Sequence, residues 1–295
     1  MRFNQWKEWF LQNQNHFSDI EWNDWRLLSN PERRLIKSSI QQFQRGENSE
    51  GKHLFNYAKT MGDDSYTETI RLFIKEEQTH ARVLGVYMQK RGIPRITDHW
   101  VDNVFRALRQ LAGLRVTLTV LLTAEIIAKT YYKALFLATD DQLLREICGQ
   151  ILQDEDKHIE FQCYTLRILF EKRPRWHGMA NKWFHEILIR GTLTVVWFGH
   201  RKIYRAGNFS LLGFWQANMS IFNDCRNSIS TKATSESTRL SVLNTRFRIP
   251  DSLRLCVTNM KSDPTHTHAI RYLASGNRYF VRNPIPKQNT KSACP

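Results

Sequence analysis

The sequence lacks an apolar run long enough to cross a lipid bilayer. Its longest apolar stretches, residues 116–124 and 191–199, are about half the ~20 residues that a spanning helix needs. Charged residues interrupt the first 28 positions, which argues against a secretory signal peptide. We therefore expect a cytoplasmic protein with no transmembrane segment.

A regular cysteine pattern is also lacking. The five cysteines are odd in number, and no two of them have the CxxC spacing (Cys148, Cys163, Cys225, Cys256 and Cys294). A disulfide framework or a cysteine-rich metal site normally needs regular pairs. We expect free thiols, as in an intracellular protein.

A recognised nucleic-acid-binding motif is lacking too, although the formal net charge is +15. Positions 223–295 carry 12 Lys and Arg against 4 Asp and Glu, a surplus of +8 that leaves +7 for positions 1–222. That last quarter is rich in Ser, Thr and Asn with scattered prolines, which predicts a poorly ordered, basic tail. The charge favours non-specific attraction to polyanions and no specific nucleic-acid partner.

Strand-like alternation is absent from residues 30 to about 205, so the predicted fold class is all-α. Ser29 and Pro31 are typical of a helix start. We expect helices over residues 30–60, 65–91, 99–138, 140–172, 178–206 and 211–222. The predicted organisation is an aromatic-rich N-terminal segment (1–28), a helical domain (29–222) and the tail (223–295). The aromatic segment is expected to pack on the helices, with a membrane-surface anchor as the alternative.

Glu-x-x-His pairs are what the helical region does contain. In a helix, positions i and i+3 lie about 60° apart around the axis, so such a pair can direct an oxygen and a nitrogen at one point. One pair alone is weak evidence. The sequence has three of them, namely Glu50/His53, Glu77/His80 and Glu155/His158.

The spacing of the glutamates is more specific than the pairs. The interval from Glu47 to Glu77 is the same as the interval from Glu125 to Glu155. Two antiparallel helices joined by a short turn need about 30 residues to bring their midpoints level, and both intervals match this length. Four helices would then bring four carboxylates and two imidazoles together, which is the ligand set of two-metal sites in helix bundles. The six candidate metal ligands are Glu47, Glu77, His80, Glu125, Glu155 and His158.

Two positions leave alternatives open. Glu125 lies in an apolar stretch and, if buried, needs a metal, a cation or a proton; the alternative is an exposed Glu125 paired with Lys129. The pair Glu50/His53 has no counterpart at the matching distance after Glu125. His53 is expected to lie at a helix edge in contact with water, and Glu50 stays undecided between a ligand and a neighbour of the ligands.

Four stretches, QRGENSEG, FIKEEQTHARVLG, AEIIAKTYY and ILQDEDKHIEFQ, resemble the ferritin-like di-iron carboxylate superfamily over roughly residues 35–200. The resemblance implies a ferritin-like four-helix bundle with additional N- and C-terminal helices. It also implies that Glu77 and Glu155 bridge two metals, that Glu47 and Glu125 are terminal ligands, and that His80 and His158 bind one metal each. Asp154 would then hold the second nitrogen of His80, and Glu76 that of His158.

The resemblance implies a function as well. It predicts a protein with two iron ions, or manganese or a mixed Mn/Fe pair, that reacts with O₂ and oxidises a small organic substrate. An electron-donor protein and a homodimer are further expectations, whereas no catalytic side chain beyond the ligands is identified. The alternatives are an iron-handling ferroxidase or storage protein and a metal-free helical interaction module.

Overall fold

The regular secondary structure in the described part of the chain is helical, and that part contains no strand. The computed structural model describes residues 3–23, 27–48, 51–97, 107, 113–171 and 175–230. The all-α prediction is confirmed for these residues. The helices are α1 (Phe3–Gln12), α2 (Asn30–Glu47), α3 (Lys52–Lys59), α4 (Asp64–Lys90), α5 (Leu114–Ala138), α6 (Gln142–Glu171), α7 (Arg175–Ala206) and α8 (Leu211–Ser230).

Helix starts follow the capping residues in the sequence. The Ser29 hydroxyl accepts a hydrogen bond from the Glu32 amide, as predicted from the Ser-Asn-Pro start of α2. Asp63 caps α4 in the same way through the amide of Tyr66. Residues 99–112, where the third helix was predicted to begin, lie outside the described residues except for position 107.

The first predicted helix is wrong in its length, because it does not continue to residue 60. α2 ends at Glu47, and α3 begins at Lys52. Between them Gly51 adopts φ +64°, and a Cβ added there would lie 2.5 Å from the Ile74 side chain. Both the left-handed backbone and the close approach of α4 require glycine. The break therefore places Glu47 at the end of a helix.

The last helix is longer than predicted. α8 continues past residue 222 to Ser230, because its final turns make tertiary contacts. Cys225 is buried, and Arg226 donates to Glu186 Oε2 on α7 at 2.8 Å. Residues 223–230 therefore belong to α8, and residues 231–295 lie outside the described residues.

The aromatic residues of the N-terminal segment pack against the helices. Phe3, Trp6 and Phe10 recur along one face of α1 and are buried. The Phe3 ring lies 4.7 Å from Tyr66 of α4, and the Trp6 ring lies 5.5 Å from Phe161 of α6. The structure thus shows the packing role expected from the sequence.

Helices α4 and α6 carry the Glu-x-x-His pairs and contact each other. α2 packs on α4, and α5 packs on α6, so each pair-bearing helix has one neighbour that carries a predicted lone glutamate. Among the described residues, Cys148, Cys163 and Cys225 are buried free thiols, in agreement with the expectation. No described helix has both the length and the apolar character needed to span a membrane.

Candidate metal centre

The six predicted ligands come together between α2, α4, α5 and α6. His80, Glu155 and His158 are fully buried, and Glu47 and Glu125 are nearly so. One group of four residues contains Glu47, Glu77, His80 and Glu155, and a second contains Glu77, Glu125, Glu155 and His158. Within each group, one nitrogen or oxygen atom per residue lies within 4.8 Å of the others. Glu77 and Glu155 belong to both groups.

The two histidines face the carboxylates through Nδ1. His158 Nδ1 lies 2.9 Å from Glu77 Oε1 and 3.7 Å from one oxygen each of Glu125 and Glu155. His80 Nδ1 lies 3.7 Å from Glu155 Oε1 and 3.9 Å from Glu77 Oε1. Each imidazole thus approaches both shared glutamates, which is the arrangement expected of carboxylates that bridge two cations.

Several polar atoms at the centre of this cluster are buried and have no hydrogen-bond partner among the described residues. They are Nδ1 of His80 and of His158, Oε1 of Glu77 and both carboxylate oxygens of Glu155. Even the 2.9 Å approach of His158 Nδ1 to Glu77 makes no hydrogen bond. Leaving a buried polar atom without a partner costs about 1–3 kcal/mol, and more for a charged group. These five atoms belong to four of the predicted ligands, so this donor set fits metal ions.

The other nitrogen of each histidine is held by a second carboxylate. His80 Nε2 lies 2.9 Å from Asp154 Oδ2, and His158 Nε2 lies 2.8 Å from Glu76 Oε2. These are the two contacts expected from the sequence. A proton on Nε2 that is donated to a carboxylate leaves the Nδ1 lone pair free, and it fixes the orientation of the ring.

The two remaining glutamates each accept one hydrogen bond that sequence reasoning did not identify. The Tyr132 hydroxyl donates to Glu47 Oε1 at 2.6 Å, and Gln162 Nε2 donates to Glu125 Oε1 at 2.8 Å. Tyr132 lies on α5 and reaches across to the end of α2.

The alternative placement of Glu125 is wrong. Glu125 is 4% exposed, and Lys129 instead pairs with Asp156 on α6. The lysine thus contacts a neighbouring helix. Glu125 remains in the group that contains His158.

The described member of the third Glu-x-x-His pair, His53, does not belong to the cluster. His53 is exposed at the start of α3, as expected for a residue in contact with water. Glu50 lies outside the described residues.

The N-terminal segment supplies further side chains that the sequence analysis missed. Asn13 Nδ2 donates to Glu76 Oε1 and to Asp154 Oδ1, and His16 Nε2 lies 2.9 Å from Asp154 Oδ2. His16, His80 and Asp154 form a third group of close donor atoms. No periodicity links Asn13 or His16 to the helical pairs, so the only available signal was the aromatic face that anchors α1.

The concentration of carboxylates perturbs the protonation of the cluster. Burial, reinforced by the charge of Glu77, raises the pKa of Glu47 well above its ordinary value; burial and the charge of Glu125 do the same for Glu155. Burial would lower the pKa of His80, but the hydrogen bond and charge of Asp154 outweigh it and raise this pKa to about 9. Upward pKa shifts of both carboxyl groups and an imidazole arise where negative charge is buried without enough positive charge to balance it.

Comparisons with known proteins add no relative. No protein-family model matches the chain, and no curated protein matches it. What these observations establish is a helical protein with a buried cluster of carboxylates and histidines that could hold metal ions. Membership of the ferritin-like superfamily stays a prediction from the sequence motifs.

Proposed function

We propose that the protein is a non-haem, carboxylate-bridged two-metal protein of the ferritin-like four-helix type. The observation that carries the proposal is the overlap of two four-residue groups, which share Glu77 and Glu155 and have one histidine each. A single-metal site would need only one such group. Two divalent cations would also balance the four glutamates if all four were ionised.

In this proposal Glu77 and Glu155 bridge the two ions, Glu47 and Glu125 each bind one of them, and His80 and His158 bind through Nδ1. Oxygen and imidazole nitrogen suit iron and manganese, and no cysteine belongs to the groups. The native pair is therefore two irons, two manganese ions or one of each. When bound, such a pair supplies electrons and a binding position for O₂.

The side chains of the protein have three tasks in this proposal. Glu76 and Asp154 accept hydrogen bonds from Nε2–H of His158 and His80 and so keep both Nδ1 atoms available for the metals. Tyr132 and Gln162 fix the orientation of Glu47 and Glu125. Phe73, whose ring lies 4.8 Å from that of His158, helps to exclude water from this side of the cluster.

The reaction that we propose is the oxidation of a small organic substrate with O₂, assisted by an electron-donor protein. The donor set and the sequence resemblance support this reaction. In addition, a buried site keeps bulk water away from reactive species. An iron-handling ferroxidase would use the same ligands and no organic substrate. A metal-free helical module would leave the orphaned atoms without a function.

Metal stoichiometry tests the proposal. The chain, reconstituted anaerobically with Fe(II) and separately with Mn(II), should bind two ions. Glu155→Ala should lose both ions together, because a shared ligand is removed. The control Glu171→Ala makes the same change at an exposed position of the same helix and should keep both.

One ion or fewer per wild-type chain would refute the two-metal proposal, and retention of both ions by Glu155→Ala would refute the bridging role. Exposure of the Fe(II)-loaded protein to O₂ then distinguishes oxidation of an organic substrate from ferroxidase activity. Rapid O₂ consumption that deposits ferric iron in a multi-subunit shell, visible by size-exclusion chromatography, would identify the ferroxidase instead.

A further inference from the structure

The segment at the end of α1 covers both histidines of the cluster. We call residues 10–17 the N-terminal latch. The ring of Phe10 lies 6.0 Å from that of His158 in a stacked orientation, and the ring of Phe17 lies 5.9 Å from that of His80, edge on. One short segment thus contacts the equivalent residue in each half of the site.

Between these two aromatic contacts, the latch binds both carboxylates that hold the histidines. Asn13 Nδ2 lies 2.6 Å from Glu76 Oε1 and 2.9 Å from Asp154 Oδ1. Glu76 holds His158, whereas Asp154 holds His80. A single amide group therefore connects the hydrogen-bonded pair Glu76–His158 to the hydrogen-bonded pair Asp154–His80.

The position of Asn13 is itself fixed by the fold. Its backbone amide donates to the Trp9 carbonyl at 3.0 Å, which continues the last turn of α1. Trp6 and Phe10, both nearly fully buried, anchor that helix. The aromatic packing of the N-terminal segment thus determines where the amide meets the two carboxylates.

We propose that Asn13 is a positioning residue that couples the two metal positions, with His16 as a second support of Asp154. This inference rests on the proposed two-metal function. The reason is geometric: a carboxylate that rotates would take its histidine with it, and Asn13 restrains both carboxylates at once. Asparagine suits the position because its NH₂ group has two protons to donate and adds no charge beside two carboxylates.

The sharpest test is Asn13→Asp, measured on the full chain. The change is nearly isosteric, but it replaces both donated hydrogen bonds with a carboxylate that repels Glu76 and Asp154. The control is Asn15→Asp, which adds the same charge two residues away at an exposed position of the latch. Asn13→Ala removes the hydrogen bonds without adding charge, and it carries the test if the aspartate variant does not fold.

The probe is Co(II), titrated anaerobically into each variant, because its visible absorption reports coordination geometry as well as occupancy. Loss of a residue that orients metal ligands typically weakens affinity about 10- to 100-fold. We expect a loss of that size for both ions in Asn13→Asp, a smaller loss for both in Asn13→Ala, and altered spectra in each. Asn15→Asp should match the wild type.

Each other outcome has a distinct meaning. Weaker binding of one ion only would overturn the coupling. Unchanged affinity and spectra, with a lower melting temperature of the metal-free protein, would show a purely structural role and overturn the inference. If the wild type itself binds fewer than two ions, the proposed function fails; if it binds two and both Asn13 variants do so equally well, only this inference fails.

Discussion

The charge of Glu155 should lower the stability of the metal-free protein. A substitution that removes this charge should therefore stabilise the metal-free protein. The side chain is fully buried, and neither of its oxygens has a hydrogen-bond partner among the described residues. Its nearest cationic candidates, the two histidines, lie 3.7 Å away through Nδ1. Glu155→Gln preserves the shape of the residue and removes the charge, at the expense of metal binding.

The size of the effect follows from the cost of burial. A buried ion costs several kcal/mol in real proteins, whereas a neutral polar group without a partner costs about 1–3 kcal/mol. The substitution should therefore stabilise the metal-free protein by about 2 kcal/mol. For a folded region of this size, about 2–4 °C per kcal/mol is typical, so the melting temperature should rise by about 4–8 °C at pH 7.

The pH dependence has a definite sign. Burial, reinforced by the charge of Glu125, raises the pKa of Glu155 in the folded protein well above its ordinary value of 4.5. A carboxyl group of this kind destabilises the folded state above the pKa that it has in the unfolded chain. Below that pKa both states are protonated and the penalty disappears. The advantage of the glutamine variant should thus be largest near pH 7 and shrink as the pH falls towards 4.5.

Thermal unfolding of metal-free wild type, Glu155→Gln and the exposed control Glu171→Gln, each at pH 7 and pH 5, would measure this. The control should stay close to the wild type at both values. If the metal-free Glu155→Gln protein melts at the same temperature as the wild type or lower at pH 7, Glu155 is stabilised by interactions other than a metal. The fit of this cluster to cations would then lose its main physical support.

Two further predictions concern the limits of the site. Glu47→Ala should weaken one metal position strongly in an anaerobic Fe(II) titration, since a ligand and its charge are lost, whereas Glu50→Ala should leave both ions bound; the opposite result would move the ligand to Glu50. A chain ending at Ser230 should keep its helical circular dichroism and both ions, because no predicted ligand follows that residue; loss of metal would instead indicate His266 and His268.

The six predicted ligands could be brought together from the sequence because helical geometry is local. A spacing of three positions fixes which side chains share a helix face, and a spacing of about 30 residues sets which turns lie level in neighbouring helices. The contacts of Asp154 with His80 and of Glu76 with His158 join different helices, and they were expected from the resemblance to the superfamily rather than from spacing.

The side chains that sequence reasoning missed come from contacts that no periodicity encodes. Asn13 reaches carboxylates 63 and 141 residues away in the chain. The break after Glu47 was missed for a different reason: the helical pattern resumes in α3, and the left-handed backbone of Gly51 cannot be read from that pattern. Polar residues and single glycines have several structural uses, and tertiary contacts decide among them.

The two halves of the cluster are similar in sequence, yet their environments differ. One constant shift along the chain relates Glu47 to Glu125 and Glu77 to Glu155, but the donors to the two terminal carboxylates do not follow it. Glu47 accepts from the phenol of Tyr132 at 2.6 Å, and Glu125 accepts from the amide of Gln162 at 2.8 Å.

This difference extends to the charge that each terminal glutamate offers. The pKa of Glu47 is raised, first by burial and then by the charge of Glu77. That of Glu125 is lowered, because its contacts with Glu155 and His158 outweigh the effect of burial. A carboxylate that is already ionised binds a cation without first losing a proton. The repeat thus relates the two groups of candidate ligands, while residues outside the repeat give their terminal carboxylates different surroundings.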